Sequence, residues 1–257
     1  MYNHKMEEDK MKQTSRMNKI VATFFALALA IGVLFITSAT TASAATDRVS
    51  LYSISPDFSK YGITSYKVYI RTNDNAVDQN VTVHYFYMST VGWQDTTATY
   101  VTTLSDGSKI WSAYFPSMDC QYVIKYEADG ETIWDNNDGH NYNKSELIGS
   151  AAIEALRYGY QYDYNNYKIG AVLKNFAYNK NVFVRYTTDG WNTYHDAALA
   201  YDKTNDDGTE NWTTTVSLGT VENSEDFEYA ICYQANGNTY WANNFGANYN
   251  FSDCIHH

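Results

Sequence analysis

Trp241, Asn243, Asn244 and Asn248 fall within eight residues and are followed by Tyr249. The same spacing, Trp-x-Asn-Asn-x-Gly-x-Asn-Tyr, recurs at Trp134, Asn136, Asn137, Asn141 and Tyr142. A flat indole can cover the apolar C–H face of a sugar, and an amide, both donor and acceptor, can bridge neighbouring hydroxyls. Trp191 follows the turn Thr188-Asp189-Gly190 and Trp93 follows Val91-Gly92, so both are expected on surface loops. The plainer reading of such residues is structural. Trp111 and Trp212 lie inside strand-like runs and are expected in the core. Asn runs ordinarily mark turns, and Gly139 and Gly246 serve backbone geometry.

Catalysis has little support in the chain. Neither Gly-x-Ser-x-Gly nor His-Glu-x-x-His occurs, and the carboxylates collect at turn signals, where solvation explains them. No catalytic residue is expected. No zinc ligand set is evident, Asp202 to Asp207 lacks the spacing of an EF-hand loop, and no cofactor is implied. Cys120, Cys232 and Cys254 are an odd set with no disulfide framework, and spacing leaves a Cys232–Cys254 pair open.

The elements that must carry these residues come from a repeat. Tyr126 to Asn143 (YEADGETIWDNNDGHNYN) and Tyr233 to Asn250 (YQANGNTYWANNFGANYN) match without a gap at an offset of 107, with 11 identities in 18 positions. Upstream, Asn80 to Tyr85 corresponds to Asn181 to Tyr186, and Trp111 to Trp212, at an offset of 101; Trp93 is matched with Trp191 at 98. Two modules follow, residues 46–144 and 145–257, each the size of a β-sandwich. The 25 tyrosines, with many Val and Thr and two prolines, favour strands. Val182 and Val184 should face one way, Phe183 and Arg185 the other. Asp129-Gly130 and Asn236-Gly237 are hairpin signals. Lys144 to Leu156 resembles a short linker helix interrupted at Gly149. The fold class is therefore all-β, with two tandem immunoglobulin-like antiparallel β-sandwich modules after a signal peptide.

That signal peptide is residues 1–44. Lys12, Arg16 and Lys19 precede the apolar run Ile20 to Ile36, and Ala42-Ser43-Ala44 forms a cleavage site. Export makes the protein secreted; an uncleaved anchor is the alternative. Cleavage removes five of the 18 basic and three of the 29 acidic residues, so the net charge moves from −11 to −13. Such a surface repels phosphate backbones and anionic lipid, which excludes nucleic acid and lipid as ligands. A neutral polymer remains compatible.

Val172 to Trp191, Asp226 to Tyr233 and Tyr240 to Asn250 resemble carbohydrate-binding module family 21, the starch- and glycogen-binding domains of fungal glucoamylases and phosphatase-1 targeting subunits. The first module resembles the family more weakly, through NVTVHY, VIKY and IWDNNDGHNY. The resemblance implies a non-catalytic binder of α-1,4-glucan polysaccharide or maltooligosaccharide, with up to two sites. One site would use Trp191, Trp241, Asn243, Asn244 and Asn248 with Lys180 nearby; the other would use Tyr178, with Tyr201 as a further candidate. In the first module, Trp93, Trp134, Asn136, Asn137 and Asn141 would serve, and Val77 opposite Tyr178 removes the second site. A non-catalytic part of an amylolytic system is an alternative, with the identity of any enzyme partner left open. A protein-binding adhesin on an immunoglobulin-like scaffold is the rival. A phosphatase-targeting role is disfavoured because Lys180-Asn181-Val182-Phe183 is a poor basic-Val-x-Phe docking motif.

Overall fold

The computed structural model describes residues 48–59, 62–116, 121–156, 166–218 and 226–251. The leader, Cys120 and Cys254 lie outside these. The first sandwich comprises β1 (Val49–Ser59), β2 (Gly62–Thr72), β3 (Gln79–Tyr87), β4 (Gly92–Thr97), β5 (Thr99–Thr103), β6 (Lys109–Pro116), β7 (Gln121–Ala128), β8 (Glu131–Asp135) and β9 (Tyr142–Asn143). One sheet has the order β1-β2-β6-β5; the other has β4-β3-β7-β8, with β9 also on β7.

The second sandwich repeats the plan. Its strands are β10 (Ile153–Leu156), β11 (Asn166–Leu173), β12 (Lys180–Thr187), β13 (His195–Ala198), β14 (Ala200–Thr204), β15 (Glu210–Ser217), β16 (Glu228–Ala235), β17 (Asn238–Ala242) and β18 (Tyr249–Asn250). The sheets run β10-β11-β15-β14 and β13-β12-β16-β17, with β18 on β16. All the strand pairs are antiparallel.

Period-2 alternation builds each core. Val182 and Val184 point inward with Tyr229, Ile231 and Tyr233; Val81 and Val83 do the same with Tyr122, Ile124 and Tyr126. Each fully buried valine or isoleucine contributes about 1.5–3 kcal/mol. The hairpins β7–β8 and β16–β17 turn on Asp129-Gly130 and Asn236-Gly237, all four residues at positive φ between 51° and 80°, as a two-residue turn of that hand requires. Trp111 and Trp212 pack half-buried against the two cores.

The junction differs from the expected linker helix. Residues 144–152 form turns and bends, and Ile153–Leu156 is strand β10. The helix-forming composition loses to alternation, because Ile153 and Ala155 both enter the second core. The preceding segment pairs with β1 instead: Ile54 N–H donates to Leu147 O, Ser150 N–H to Leu51 O, and Gly149 and Ala151 N–H to Tyr52 O. Glycine is needed at 149, where a Cβ would lie 2.1 Å from Leu51 O.

Candidate functional site

The paired Trp-x-Asn-Asn-x-Gly-x-Asn-Tyr segments adopt one backbone. Asn137, Asp138 and Asn141 have φ of 53°, 54° and 55°; Asn244, Phe245 and Asn248 have 49°, 55° and 57°. Asparagine tolerates this left-handed region better than most residues. Its amides also close the loop. Asn136 and Asn243 Oδ1 accept from the N–H of Gly139 and Gly246, and Asn137 and Asn244 Nδ2 donate to the carbonyls of Asn141 and Asn248. The turn reading of the Asn run therefore accounts for much of the motif, and Asn137 and Asn244 act first as loop builders.

The loop is tied down by a buried carboxylate that comes from different places in the two modules. In the first, Asp135 Oδ2 accepts from Tyr142 OH at 2.7 Å and from Leu51 N–H at 3.2 Å. Burial pushes its carboxyl up from the ordinary aspartate value, against the pull of these donors. In the second, Ala242 stands at the equivalent place, and Glu154 from β10 receives Tyr249 OH at 3.3 Å and Ser53 Oγ at 2.7 Å. Phe245, bulky for its left-handed φ, packs its ring 4.9 Å from Tyr69 and 5.7 Å from Tyr52. The second module's motif loop is thus docked on the first module.

The outer face of each five-stranded sheet carries a nitrogen-bearing side chain, an imidazole in one and a guanidinium in the other, between two aromatic rings. In the first module His84 stacks on Trp93 at 4.7 Å with 5° between planes, meets Trp134 edge-on at 5.7 Å, and sets Nδ1 2.5 Å from Asp95. In the second, the Arg185 guanidinium lies 4.3 Å from the Tyr194 ring and 5.9 Å from Trp241, and forks onto Asp196 with two bonds of 2.8 Å. Every ring is substantially exposed. Cys232, opposite Trp241 in the ladder, is buried with a free thiol that burial pushes up to about 11.

This geometry corrects the matching of Trp93. His84 faces Asp95 across the ladder and Arg185 faces Asp196. Both steps are 101 residues, and the same step carries Trp93 to Tyr194, not to Trp191. Trp191 is a separate element, absent from the first module, where one helical turn, Met88–Val91, lies instead. It sits in the β12–β13 loop at φ 66°, its Nε1 donating to Glu228 at 2.7 Å; Asn248 Nδ2 reaches the same carboxylate at 2.9 Å. Glu228 lies on the outer face of β16, two residues from Ala230, which pairs Arg185. Trp191, Asn248 and Trp241 therefore share the face, while Asn243 and Asn244 lie in the loop after β17. In the first module Asn141 Nδ2 turns to Gln121.

Tyr178 is 98% exposed in the β11–β12 loop, and Val77 is 91% exposed in the β2–β3 loop. Tyr201 is exposed on β14, its ring edge-on to Trp212. Lys180 is not beside Trp191. Its side chain is 3% exposed, with Nζ held by Glu210 at 2.7 Å and Asn175 at 2.6 Å, 5.9 Å over Trp212. An ammonium so enclosed positions the loop of Tyr178 and is not offered to a ligand. The segment Lys180 to Phe183 begins the central strand β12, bonded on β16, with Val182 in the core, and presents no free docking peptide. Among the described residues no three His, Cys, Asp or Glu side chains gather as a metal site.

His84, Arg185 and Tyr194 escaped the motif search. The signal that finds them is the constant 101-residue step, applied to every residue of β3 and β4 and not to tryptophan alone.

A β-sandwich with exposed aromatic rings across one sheet is a scaffold that can serve sugar binding among other functions. The family described as carbohydrate/starch-binding module (family 21) matches residues 155–252, which make up the second module. Glycogen-binding subunit 76A of Drosophila melanogaster is 35% identical over 80 residues, 31% of this chain and 12% of that protein. Protein phosphatase 1 regulatory subunit 3C of Bos taurus is 35% identical over 80 residues, 30% of this chain and 25% of its own. The chain thus spans a quarter or less of these relatives. Among solved structures, the carbohydrate-binding module of the muscle glycogen-targeting subunit of protein phosphatase-1 is 23% identical with a TM-score of 0.32, over 40% of this chain and 76% of that one. The starch-binding domain of Rhizopus oryzae glucoamylase, solved with β-cyclodextrin and maltoheptaose, is 26% identical with a TM-score of 0.28, over 36% and 92%.

Proposed function

We propose that this chain is a non-catalytic binder of α-1,4-glucan, exported from the cell, that holds polysaccharide or maltooligosaccharide on the aromatic faces of both modules. The observation that carries the reading is the face Tyr194–Arg185–Trp241 in the module that matches a starch-binding family, with Trp93–His84–Trp134 at the corresponding place in the first. Exposed indole and phenol rings can stack on pyranose C–H faces. The His84–Asp95 hydrogen bond and the Arg185–Asp196 ion pair beneath them fix their orientation, so little side-chain freedom is lost on binding. Trp191 and Asn248 extend the second face, and Tyr178 supplies a separate contact.

Export follows from residues 1–44, and an amylolytic enzyme acting on the same polymer is the companion this reading implies. Two measurements test it. Affinity electrophoresis should retard the protein in amylopectin and glycogen but not in dextran or cellulose. The secreted form should begin at Ala45 or Thr46. Retardation in none of the four polymers would favour the adhesin reading.

A further inference from the structure

Between the modules lies a cavity of about 300 Å³. The first module contributes Tyr52 and the β5–β6 hairpin from Thr102 to Ser105; the second contributes Trp241, Asn243 and Glu154. Its size falls at the lower end of ligand pockets, roughly 300–1,000 Å³, which suits a short segment of chain and not a broad surface. The lining combines an indole, a phenol, an amide and aliphatic hydroxyls. Glu154 is 6% exposed and already accepts from Ser53 and Tyr249 hydroxyls, so it is engaged in holding the wall. The cavity therefore offers rings and neutral hydrogen-bonding groups, the chemistry that suits a polyhydroxylated, uncharged ligand.

We propose that this cavity is a composite subsite in which the first module completes the binding site of the second, taking the free end of a linear α-glucan whose preceding residues lie on the Trp241 face. The inference rests on the proposed function. Trp241 belongs to both the exposed face and the cavity wall, so a chain crossing the face leads into the cavity. The Thr102–Ser105 hairpin is the first module's own contribution, and an isolated second module would bind without it.

The test uses calorimetric titration of the full chain with maltoheptaose, which has free ends, and with β-cyclodextrin, which has none. Ser105→Trp should fill the cavity from the first module. It should weaken maltoheptaose about five-fold, roughly one lost hydrogen-bonding contact, and leave β-cyclodextrin within about two-fold. Thr103→Val, which keeps shape and removes a hydroxyl, should give a smaller change of the same selectivity. Trp241→Ala should weaken both ligands. Equal affinities of Ser105→Trp and the parent for maltoheptaose would overturn the composite subsite, as would equal losses for both ligands. If the parent binds neither sugar, the functional reading falls and the subsite with it.

Discussion

His84 and Arg185 occupy the same register position in two sandwiches, 101 residues apart, each flanked by two aromatic rings and each paired across the ladder with an aspartate. The central imidazole or guanidinium anchors the aromatic pair. Arg185 presents a planar guanidinium to Tyr194 while its N–H groups fork onto Asp196, a geometry lysine cannot reproduce. The residues most exposed to ligand are thereby held by residues that need not touch it.

Tyr194→Ala should weaken binding to amylopectin about as much as Trp241→Ala, by roughly five- to ten-fold, the order of one lost stacking contact. Trp93→Ala should have the corresponding effect in the first module. Affinity electrophoresis of the three single variants, and of Tyr194→Ala combined with Trp93→Ala, checks this. If Tyr194→Ala and Trp241→Ala both leave binding unchanged, the face is not the site.

Asp135→Ala should destabilise the protein by about 2–4 kcal/mol, because it strands Tyr142 OH and Leu51 N–H inside the first module. In the second module the carboxylate comes from Glu154. There, Ala242→Asp should be destabilising with Glu154 present and less so beside Glu154→Ser, since two buried carboxylates would compete for Tyr249. Thermal melts of the three variants give the coupling directly; additive effects would contradict it.

Gly149→Ala should cost more than about 2 kcal/mol, since backbone must move to admit the methyl group. Hydrogen exchange should quicken at Gly149, Ser150 and Ala151, whose amides bond to β1. Unchanged protection at those amides would show that the junction does not depend on glycine.

Acid should loosen the second face. The hydrogen bonds from Arg185 hold Asp196 below the ordinary aspartate value, and the Thr193 amide and hydroxyl do the same for Asp189. A depressed carboxylate contributes stability that is complete above its unfolded pKa, about 3.9, and lost as pH falls through the lower folded value. Asp135 works in the opposite sense. Its raised folded pKa means stability declines as pH climbs from the unfolded value through the folded one, and Asp135→Asn should flatten that segment. The second face's share of glucan binding should be unchanged above the ordinary aspartate value, about 3.9, and fall only below it as Asp196 protonates. Binding measured across this range, with Asp196→Asn as control, tests the assignment.

The strand alternation of Val182 and Val184 and the Asp-Gly and Asn-Gly hairpins were legible in the sequence because each depends on neighbours a few residues away. The central cation was not. Arg185 looks like any outward polar residue until β13 is laid beside it and Tyr194 comes over its plane. Trp191 drew the match from Trp93 because both follow a turn, although only strand register shows which aromatic faces His84. Lys180 seemed available for a ligand because Glu210, its buried partner, is 30 residues away. The stretch from Lys144 to Leu156 has helical composition, but strand pairing with β1 and β11 satisfies its backbone better than an isolated turn of helix.

The pairing of residues 147–151 with β1 also makes the protein a ruler. Two modules on a flexible tether gain avidity through an effective concentration that peaks when the tether matches the span of the sites and falls as it lengthens. Here the connecting chain is part of a sheet edge, and Phe245 is wedged against Tyr52 and Tyr69, so the separation and relative orientation of the two aromatic faces are built in. On the proposed function, a polymer whose turns present sugar at that spacing would engage both at once, and one that does not would meet only a single face. Discrimination between glucans of identical linkage can therefore arise from their coil geometry and branching alone.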